Sequence, residues 1–367
     1  MVTAPRGVAF LVGKFMAGGT EQHVLRVLEG LDRRRVRPVV GMRVATELWF
    51  DRFRALAVPY AVLGLESWPL DPRYLRPLLA FARFLRRHRV AIVHAYGWEM
   101  QMLACWLKLL VPGIRLIGTR RTVAELEPRR HLTAYRLVNR LFDRVVAVSK
   151  SARLSAIAAE SIDPGRIVAI PNGLDPSGLP SRVHPGPPRP LRIGTVANVR
   201  RRKGYFWAIE ALAELSRRGI PFEYHVVGRA DTGEDLPARA RELGIADRLV
   251  FHGQVEDPKA LVASWHVFLF PTYHEGMSNA LLEAMMIGTP PIATGIPANR
   301  DMIEDGVHGR LVVPDDTHGL ADLLSWAARE PEATEALGRA ARARALEEFS
   351  LSRMLSSMES LYAEVAP

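Results

Sequence analysis

The chain has 367 residues, and its 49 lysines and arginines against 39 acidic residues give a formal net charge of +10 at pH 7. This length exceeds one ordinary domain and suits two of roughly 150–200 residues each. With 48% hydrophobic and 24% charged residues, the composition excludes a mainly disordered protein. The single cysteine, Cys105, excludes a disulfide within the chain and lies in an apolar run, where we expect a buried, unreactive thiol. This cysteine content favours a cytoplasmic location.

The hydropathy of the sequence tests for membrane-spanning segments, and its charge indicates the kind of partner. No apolar stretch reaches the roughly 20 residues needed to cross a bilayer. The apolar residues 7–13 are followed at once by Lys14 and then by a helix-start signal, so we predict a buried first strand there and not a signal peptide. The basic surplus favours an anionic partner, such as a nucleotide, a phospholipid headgroup or a nucleic acid.

Short apolar runs alternate with longer amphipathic stretches through the first half of the chain. This rhythm predicts strands at residues 8–12, 38–42, 60–63, 90–94, 115–118 and 145–148. It predicts helices at residues 20–31, 51–56, 73–87, 99–110, 133–142 and 151–160. Such alternation indicates right-handed βαβ crossovers and a parallel, doubly wound sheet.

The same rhythm restarts after a proline-rich stretch. It predicts strands at residues 191–196, 223–227, 249–252, 267–270 and 291–293, and helices at residues 205–217, 236–243, 258–264, 279–286, 319–328, 331–348 and 353–364. We therefore expect an α/β protein with an N-terminal Rossmann-like domain (1–175), a linker (176–190), a C-terminal Rossmann-like domain (191–345) and a last helical segment (346–367) that could cross back to the first domain. The two domains would face a central cleft that holds the ligand at the carboxyl ends of the strands.

Residues 267–294 are the most informative segment. A buried strand ends at Pro271, a polar loop follows, and Ser278 is a plausible N-cap of the next helix. The backbone N–H groups of residues 277–280 would then point into the cleft, where the helix dipole favours an anion such as a diphosphate. Glu275 in the loop and Glu283 in the helix could accept hydrogen bonds from sugar and ribose hydroxyls. A capped surface helix with two solvated glutamates fits these residues equally well.

The order of motifs along the chain resembles a known family. Glu275-Gly276, Asn279-Ala280, Glu283-Ala284-Met285, Gly288 and Pro290 resemble the Glu-x7-Glu motif of the family 4 retaining glycosyltransferases, which have the GT-B fold. Further family landmarks follow in sequence order: Gly18-Gly19-Thr20-Glu21, Val93-His94-Ala95, Ala147-Val148-Ser149, Ile170-Pro171-Asn172-Gly173-Leu174-Asp175, Lys203-Gly204, Val227-Gly228, Phe251-x-Gly253 and Glu304-Asp305-Gly306-x-x-Gly309. The resemblance covers nearly the whole chain.

The resemblance implies a role for each matching residue. Glu275 would contact the donor sugar, Glu283 would hold the ribose hydroxyls, and Lys203 would bind the diphosphate and stabilise the leaving group. His94, at a strand end, would line the sugar site and complete a catalytic set with Glu275 and Lys203. The donor would also meet the residues that start the helix and the glycine loop: Gly18, Gly19, Gly276, Met277, Ser278 and Asn279.

One position departs from the family pattern. Asn198 stands five residues before Lys203, where the family commonly has an arginine. Asparagine cannot neutralise a phosphate, so Arg200, Arg201 or Arg202 would have to supply that charge. We take Arg200 as the candidate donor ligand, and the sequence leaves the choice among the three open.

The resemblance implies a retaining transfer of a sugar from a UDP or GDP sugar to an acceptor such as a lipid-linked or cell-surface glycan precursor. We expect no metal and no further cofactor, because the chain has no zinc spacing and no Asp-x-Asp pair placed by a strand. Residues 75–89 form a basic amphipathic helix that suggests reversible contact with an anionic membrane from the cytoplasmic side, although a core-packed helix with a solvated basic face fits as well. The alternatives are a nucleotide-sugar 2-epimerase and a non-catalytic sugar-nucleotide binder. A nucleic-acid binder is disfavoured because no basic face with interleaved aromatic residues is present.

Overall fold

The computed structural model describes residues 5–13, 19–44, 50–65, 75–182, 186, 189–230 and 235–366. The chain forms two compact units. The first unit contains Met1–Gly173 together with Leu351–Pro367, and the second contains Leu174–Ser350. The last helix therefore belongs with the N-terminal part of the chain. Within the described residues, no helix combines the length and the apolar character needed to cross a bilayer.

The described part of the first unit is built on a parallel sheet with the strand order β3-β2-β1-β4-β5-β6-β7. Its strands are β1 (Arg6–Val12), β2 (Val36–Met42), β3 (Tyr60–Val62), β4 (Val90–Ala95), β5 (Arg115–Arg120), β6 (Arg144–Ala147) and β7 (Ile167–Ala169). Its helices are α1 (Gly19–Gly30), α2 (Phe50–Ala55), α3 (Leu75–Arg87), α4 (Trp98–Leu110), α5 (Arg129–Val138), α6 (Lys150–Glu160) and α14 (Leu351–Val365).

The strand order places a switch point between β1 and β4. From β1 the chain moves outward to β2 and β3, then returns past β1 to β4 and continues to β7. Right-handed crossovers put α3, α4, α5 and α6 on one face of the sheet, and these helices pack side by side in that order. α1 lies on the opposite face, where α14 packs against it. Ligands of such sheets bind at the carboxyl ends of the strands beside the switch point.

The described part of the second unit repeats this plan with a parallel sheet of order β10-β9-β8-β11-β12-β13. Its strands are β8 (Leu191–Val196), β9 (Phe222–Val227), β10 (Leu249–Gly253), β11 (Val267–Phe270), β12 (Pro291–Thr294) and β13 (Arg310–Val312). Its helices are α7 (Tyr205–Arg217), α8 (Leu236–Glu242), α9 (Lys259–Ser264), α10 (Asn279–Ile287), α11 (Pro297–Met302), α12 (Thr317–Arg329) and α13 (Pro331–Glu348). The switch point of this sheet lies between β8 and β11.

Each unit has its own apolar core. The central strands are buried on both faces, as the uninterrupted apolar runs of β1 and β11 require. Met354, Met358 and Tyr362 of α14 join the core of the first unit. The predicted α/β fold with two Rossmann-like units is therefore confirmed.

Several predicted boundaries need correction. The helix expected at residues 133–142 begins at Arg129, directly after Pro128, and gives way to a 3-10 turn at Asn139–Leu141. The sequence interpretation missed β7, β13 and α11. A strand of three residues and a helix of six are too short to show a period, so hydrophobic alternation could not detect them.

Candidate functional site

Helix α10 begins at the carboxyl end of β11 in the second unit. Ser278 is its N-cap, because the Ser278 hydroxyl accepts a hydrogen bond from the Leu281 N–H at 3.2 Å. Met277 and Ser278 are buried beside the loop that carries the half-buried Glu275. The helix ends at Gly288, whose N–H reaches two carbonyl groups of the last turn. The positive end of the α10 dipole therefore lies at the loop predicted to meet a diphosphate.

Lys203 and Glu275 form an ion pair next to this helix start. The Lys203 ammonium donates to Glu275 Oε1, and the two side chains are only 15% and 13% exposed. Thr272 Oγ1 lies 3.3 Å from the same carboxylate oxygen. The ammonium also lies 5.6 Å from the centre of the Phe270 ring. The fold thus brings together two residues that are 72 positions apart in sequence.

Glycine at position 204 is required by the packing of the loop that carries Lys203. Gly204 has φ 72°, and a Cβ atom there would lie 1.8 Å from the carbonyl oxygen of Pro271. The neighbouring loop is held by two hydrogen bonds to the Arg202 carbonyl, one from the Tyr273 N–H at 2.9 Å and one from the Thr272 hydroxyl at 3.1 Å. The Lys-Gly pair therefore fixes the distance between the lysine and the Glu275 loop.

Asn198, the position that departs from the family pattern, has a structural role. Its side-chain oxygen accepts the Arg229 N–H at 3.2 Å and so ties the loop after β8 to the turn after β9. Among the three nearby arginines, Arg200 is half-buried while Arg201 and Arg202 are exposed. The choice of Arg200 as the donor ligand stays a prediction.

Three of the remaining predicted donor residues lie in or near α10. Gly276 is buried, whereas Asn279 and Glu283 are half-buried. Glu283 is in the second turn of the helix. In the first unit, Gly19 is exposed and opens α1, while Gly18 lies outside the described residues.

The first unit contains a cavity of about 850 Å³ at its own switch point. Gly13 follows β1, Tyr96 follows β4 and Arg121 follows β5, and all three line the cavity. Glu21 of α1 and Trp98 of α4 contribute further walls. The cavity thus joins aromatic rings with several glutamates and arginines at the carboxyl ends of three neighbouring strands. Its charged lining residues are Glu21, Glu99, Glu127, Glu160, Arg120, Arg121 and Arg130.

His94 is not among the residues that line this cavity, and its role at the sugar site stays a prediction. Its side chain is 0% exposed, and its Nδ1 lies 2.8 Å from the Tyr362 hydroxyl of α14. Burial, with a smaller contribution from Arg121, lowers the pKa of His94 to about 3, so the ring is neutral at physiological pH. Tyr96, the residue that follows β4, lines the cavity.

A buried ion pair missed by the sequence interpretation supports the cavity. Arg120 donates to Glu160 with Nη2–Oε2 at 2.6 Å, and the side chains are almost completely buried. The guanidinium also donates to Asn139 Oδ1 at 2.9 Å and lies 3.8 Å from the centre of the Tyr135 ring. The sequence signal for this ion pair was the pair of consecutive arginines, Arg120 and Arg121, just after a predicted strand. A charge at a buried strand end needs an ion-pair partner or a ligand.

Family models match both units. A model described as Glycosyltransferase Family 4 matches residues 17–177, and one described as Glycosyl transferases group 1 matches residues 190–330. The chain belongs to this family of group 1, family 4 glycosyltransferases, and the resemblance found in its motifs is confirmed.

Curated relatives show where the similarity lies. The 2-deoxystreptamine glucosyltransferase of Streptomyces kanamyceticus is 29% identical over 205 residues, which cover 54% of this chain and 51% of that protein. This chain thus spans about half the length of the first such relatives. The phosphatidyl-myo-inositol mannosyltransferase of Mycobacterium leprae is 27% identical over 95% of this chain and 94% of its own.

Solved structures share the fold. Anabaena HepE in complex with UDP and glucose superposes with a TM-score of 0.85 at 19% identity, covering 98% of this chain and 100% of HepE. HepE has also been solved with UDP-glucose, with a TM-score of 0.84 and 20% identity. The sucrose-phosphate synthase of Thermosynechococcus elongatus reaches a TM-score of 0.78. These similarities establish the GT-B fold of the chain, which has one Rossmann-like domain in each unit.

Proposed function

We propose that this protein is a retaining glycosyltransferase that moves a sugar from a UDP or GDP sugar to an acceptor. The observation that carries the proposal is the Lys203–Glu275 ion pair beside the capped start of α10. A diphosphate needs preorganised positive charge, which Lys203 and the start of α10 supply. A sugar needs hydrogen-bond acceptors, which Glu275 supplies in the same small region. HepE, solved with UDP and UDP-glucose, favours a uridine donor.

The reaction breaks the bond between the anomeric carbon and the diphosphate oxygen. Negative charge grows on the departing phosphate, where Lys203, a loop arginine and the α10 dipole stabilise it. The acceptor hydroxyl attacks the same face of the sugar, its oxygen bonds to the anomeric carbon, and its proton passes to the leaving phosphate oxygen. This order of events retains the anomeric configuration and needs no side chain as a nucleophile.

The ion pair gives Glu275 two successive roles. Without donor, Glu275 neutralises Lys203 and offsets the cost of holding a nearly buried ammonium. When the donor binds, the diphosphate takes over as the partner of Lys203, and the freed carboxylate accepts hydrogen bonds from sugar hydroxyls. Glu283, in the second turn of α10, holds the ribose hydroxyls.

A panel of nucleotide sugars tests this function. A ligand at 100 times its Kd stabilises the folded protein by about 2.7 kcal/mol, so a donor will raise the melting temperature measurably. Donor turnover is then measured with excess EDTA present, and full activity is expected. Activity lost in EDTA and restored by Mn²⁺ would contradict the metal-free mechanism. A 2-epimer of the donor sugar formed without acceptor would identify an epimerase, and binding without turnover would identify a non-catalytic protein.

The acceptor is proposed to be a glycan precursor reached at the cytoplasmic face of a membrane. Several relatives are named for polysaccharide or lipid glycosylation, among them the capsular polysaccharide glycosyltransferase CapM of Staphylococcus aureus. In the structure, the apolar side of α3 packs inward through Phe81, Ala82 and Leu85, so that side belongs to the core. The outward side of α3 is basic.

The adjacent helix supplies the apolar part of this membrane surface. Trp106 and Leu109 of α4 are 41% and 73% exposed. Arg86 of α3 donates to the Leu110 carbonyl, so the arginines of α3 lie beside these apolar side chains. Exposed apolar groups flanked by arginines match the chemistry of an anionic bilayer.

Vesicle flotation tests this contact. We expect salt-sensitive binding to vesicles with phosphatidylglycerol and none to pure phosphatidylcholine. The double change Trp106→Ser and Leu109→Ser should weaken binding several-fold, because it removes the groups that enter the lipid. The matched control is Val307→Ser with Val313→Ser, two exposed apolar residues of the second unit. Failure of the wild-type chain to float with anionic vesicles would contradict the contact.

A further inference from the structure

Arg121 lines the cavity of the first unit without a carboxylate partner. It follows β5 directly, is half-buried, and donates to Asn172 Oδ1 at 2.9 Å. Among the residues that the structure describes, no carboxylate lies within ion-pair distance of its guanidinium. Its neighbour Arg120 is different, because Glu160 neutralises that guanidinium inside the fold.

Holding this guanidinium in place costs free energy that no internal ion pair offsets. Burial lowers the pKa of Arg121 to about 10, while Tyr96 and Glu21 oppose this shift from a longer distance. Burial also raises the pKa of Glu21, which lines the same cavity. A buried charged group in a cavity whose charge no internal ion pair neutralises is a candidate for ligand binding.

The guanidinium is also fixed in position. Asn172 is only 2% exposed, and its side chain also bonds to the buried His23. A rigid guanidinium presents its remaining N–H donors in a planar fork that matches phosphate and carboxylate oxygens. The cavity therefore has a preorganised group for an oxyanion on one wall.

The other walls fit a sugar. Tyr96 and Trp98 offer aromatic surface and Thr122 offers a hydroxyl, and the volume of about 850 Å³ lies in the range of small-ligand sites. We propose that this cavity binds an acceptor whose sugar-like part carries an oxyanion, phosphate or carboxylate, and that Arg121 binds that oxyanion. That the bound molecule is an acceptor rests on the proposed transfer reaction. Binding in the cavity can be tested without turnover.

Calorimetric titration with three probes tests the site: α-glucose 1-phosphate, glucuronate and, as the neutral control, glucose. All titrations use the full chain with Lys203→Ala, which removes the lysine expected to bind phosphate in the second unit. We expect at least one anionic probe to bind at least tenfold more tightly than glucose. The stronger of the two identifies the oxyanion as phosphate or carboxylate.

Two substitutions assign the binding to Arg121. Arg121→Gln should lower the affinity for the anionic probe at least tenfold and leave the affinity for glucose unchanged. Arg217 is an exposed arginine of α7, so the control Arg217→Gln should change neither affinity. Arg121→Lys keeps the charge without the planar fork and should give intermediate affinity, which also covers the case in which Arg121→Gln fails to fold. Equal affinity for anionic and neutral probes, no binding of either anion, or full binding in the Arg121 variants would overturn the inference. None of these results bears on donor turnover, which tests the proposed function separately.

Discussion

At the scale of single residues, Lys203 and Glu283 are expected to act at different stages of the reaction. Lys203 meets charge that grows as the phosphate leaves, so Lys203→Ala should mainly lower kcat. A charge-assisted hydrogen bond contributes roughly 1.5–3 kcal/mol, which corresponds to a decrease of about 10- to 100-fold. Glu283 makes similar ribose contacts before and during the reaction, so Glu283→Gln should mainly raise the donor KM. Steady-state kinetics with varied donor checks both, and a Lys203→Ala variant with altered KM and unchanged kcat would contradict the role of the lysine.

His94 makes a separate prediction about stability in acid. Its folded pKa of about 3 lies below the value of 6.5 for a free histidine. Below pH 6.5 the unfolded chain therefore binds a proton that the folded chain excludes. The contribution of His94 to the free energy of unfolding is therefore fully present above pH 6.5. It falls by about 1.4 kcal/mol for each pH unit below 6.5, until His94 protonates in the folded state. His23, buried in the same unit with a pKa held well below the usual range mainly by burial, adds to this loss.

Scanning calorimetry at pH 7.5 and pH 5.0 measures the effect. His94→Asn keeps a hydrogen-bonding group near Tyr362 and removes the titrating ring, so it should lose less stability between the two pH values than the wild-type chain. His274→Asn, at an exposed position, is the control and should retain the wild-type loss. An identical pH dependence in all three proteins would show that His94 does not contribute.

At the scale of elements, strong local signals were enough to predict much of the fold from the sequence. β8, α7, β11 and α13 match their predicted bounds, because Gly204 and Pro331 mark helix starts and apolar runs mark the strands. The loop before α10 and its Ser278 cap were also visible as a pattern. The contact of His94 with Tyr362 could not be predicted, because no local pattern contains it. Tyr362, which covers His94, is 268 residues further along the chain.

Gly204 offers a test of how one turn positions the site. Gly204→Ala places a Cβ against the Pro271 carbonyl and should cost well over 1 kcal/mol, displacing Lys203 from the Glu275 loop. Gly219→Ala is the matched control, because Gly219 has nearly the same φ, 73°, with no atom within 4 Å of the added Cβ. We expect about 1 kcal/mol of destabilisation and unchanged UDP affinity in the control. Equal losses of stability and affinity in both variants would contradict the packing argument.

At the scale of the whole molecule, the two units repeat one plan with different chemistry at their switch points. The second unit places a lysine, a carboxylate and a capped helix start together, which suits a nucleotide sugar. The first unit encloses aromatic rings and an arginine without an ion-pair partner among the described residues, which suits an anionic sugar-like acceptor. The first unit is also formed from both ends of the chain, since α14 completes its core. These two sites are the basis of the proposed division of donor and acceptor between the units.

The measurement that tests the central claim most directly is the Kd of UDP for the Glu275→Gln variant, determined by calorimetry beside its transfer rate. In the proposed reaction Glu275 competes with the diphosphate for Lys203 and then orients the donor sugar. Glu275→Gln should therefore bind UDP as tightly as the wild-type chain or more tightly, while its kcat falls at least tenfold. Loss of UDP binding in Glu275→Gln, with UDP binding intact in Glu283→Gln, would contradict the assignment of both glutamates and of the donor site.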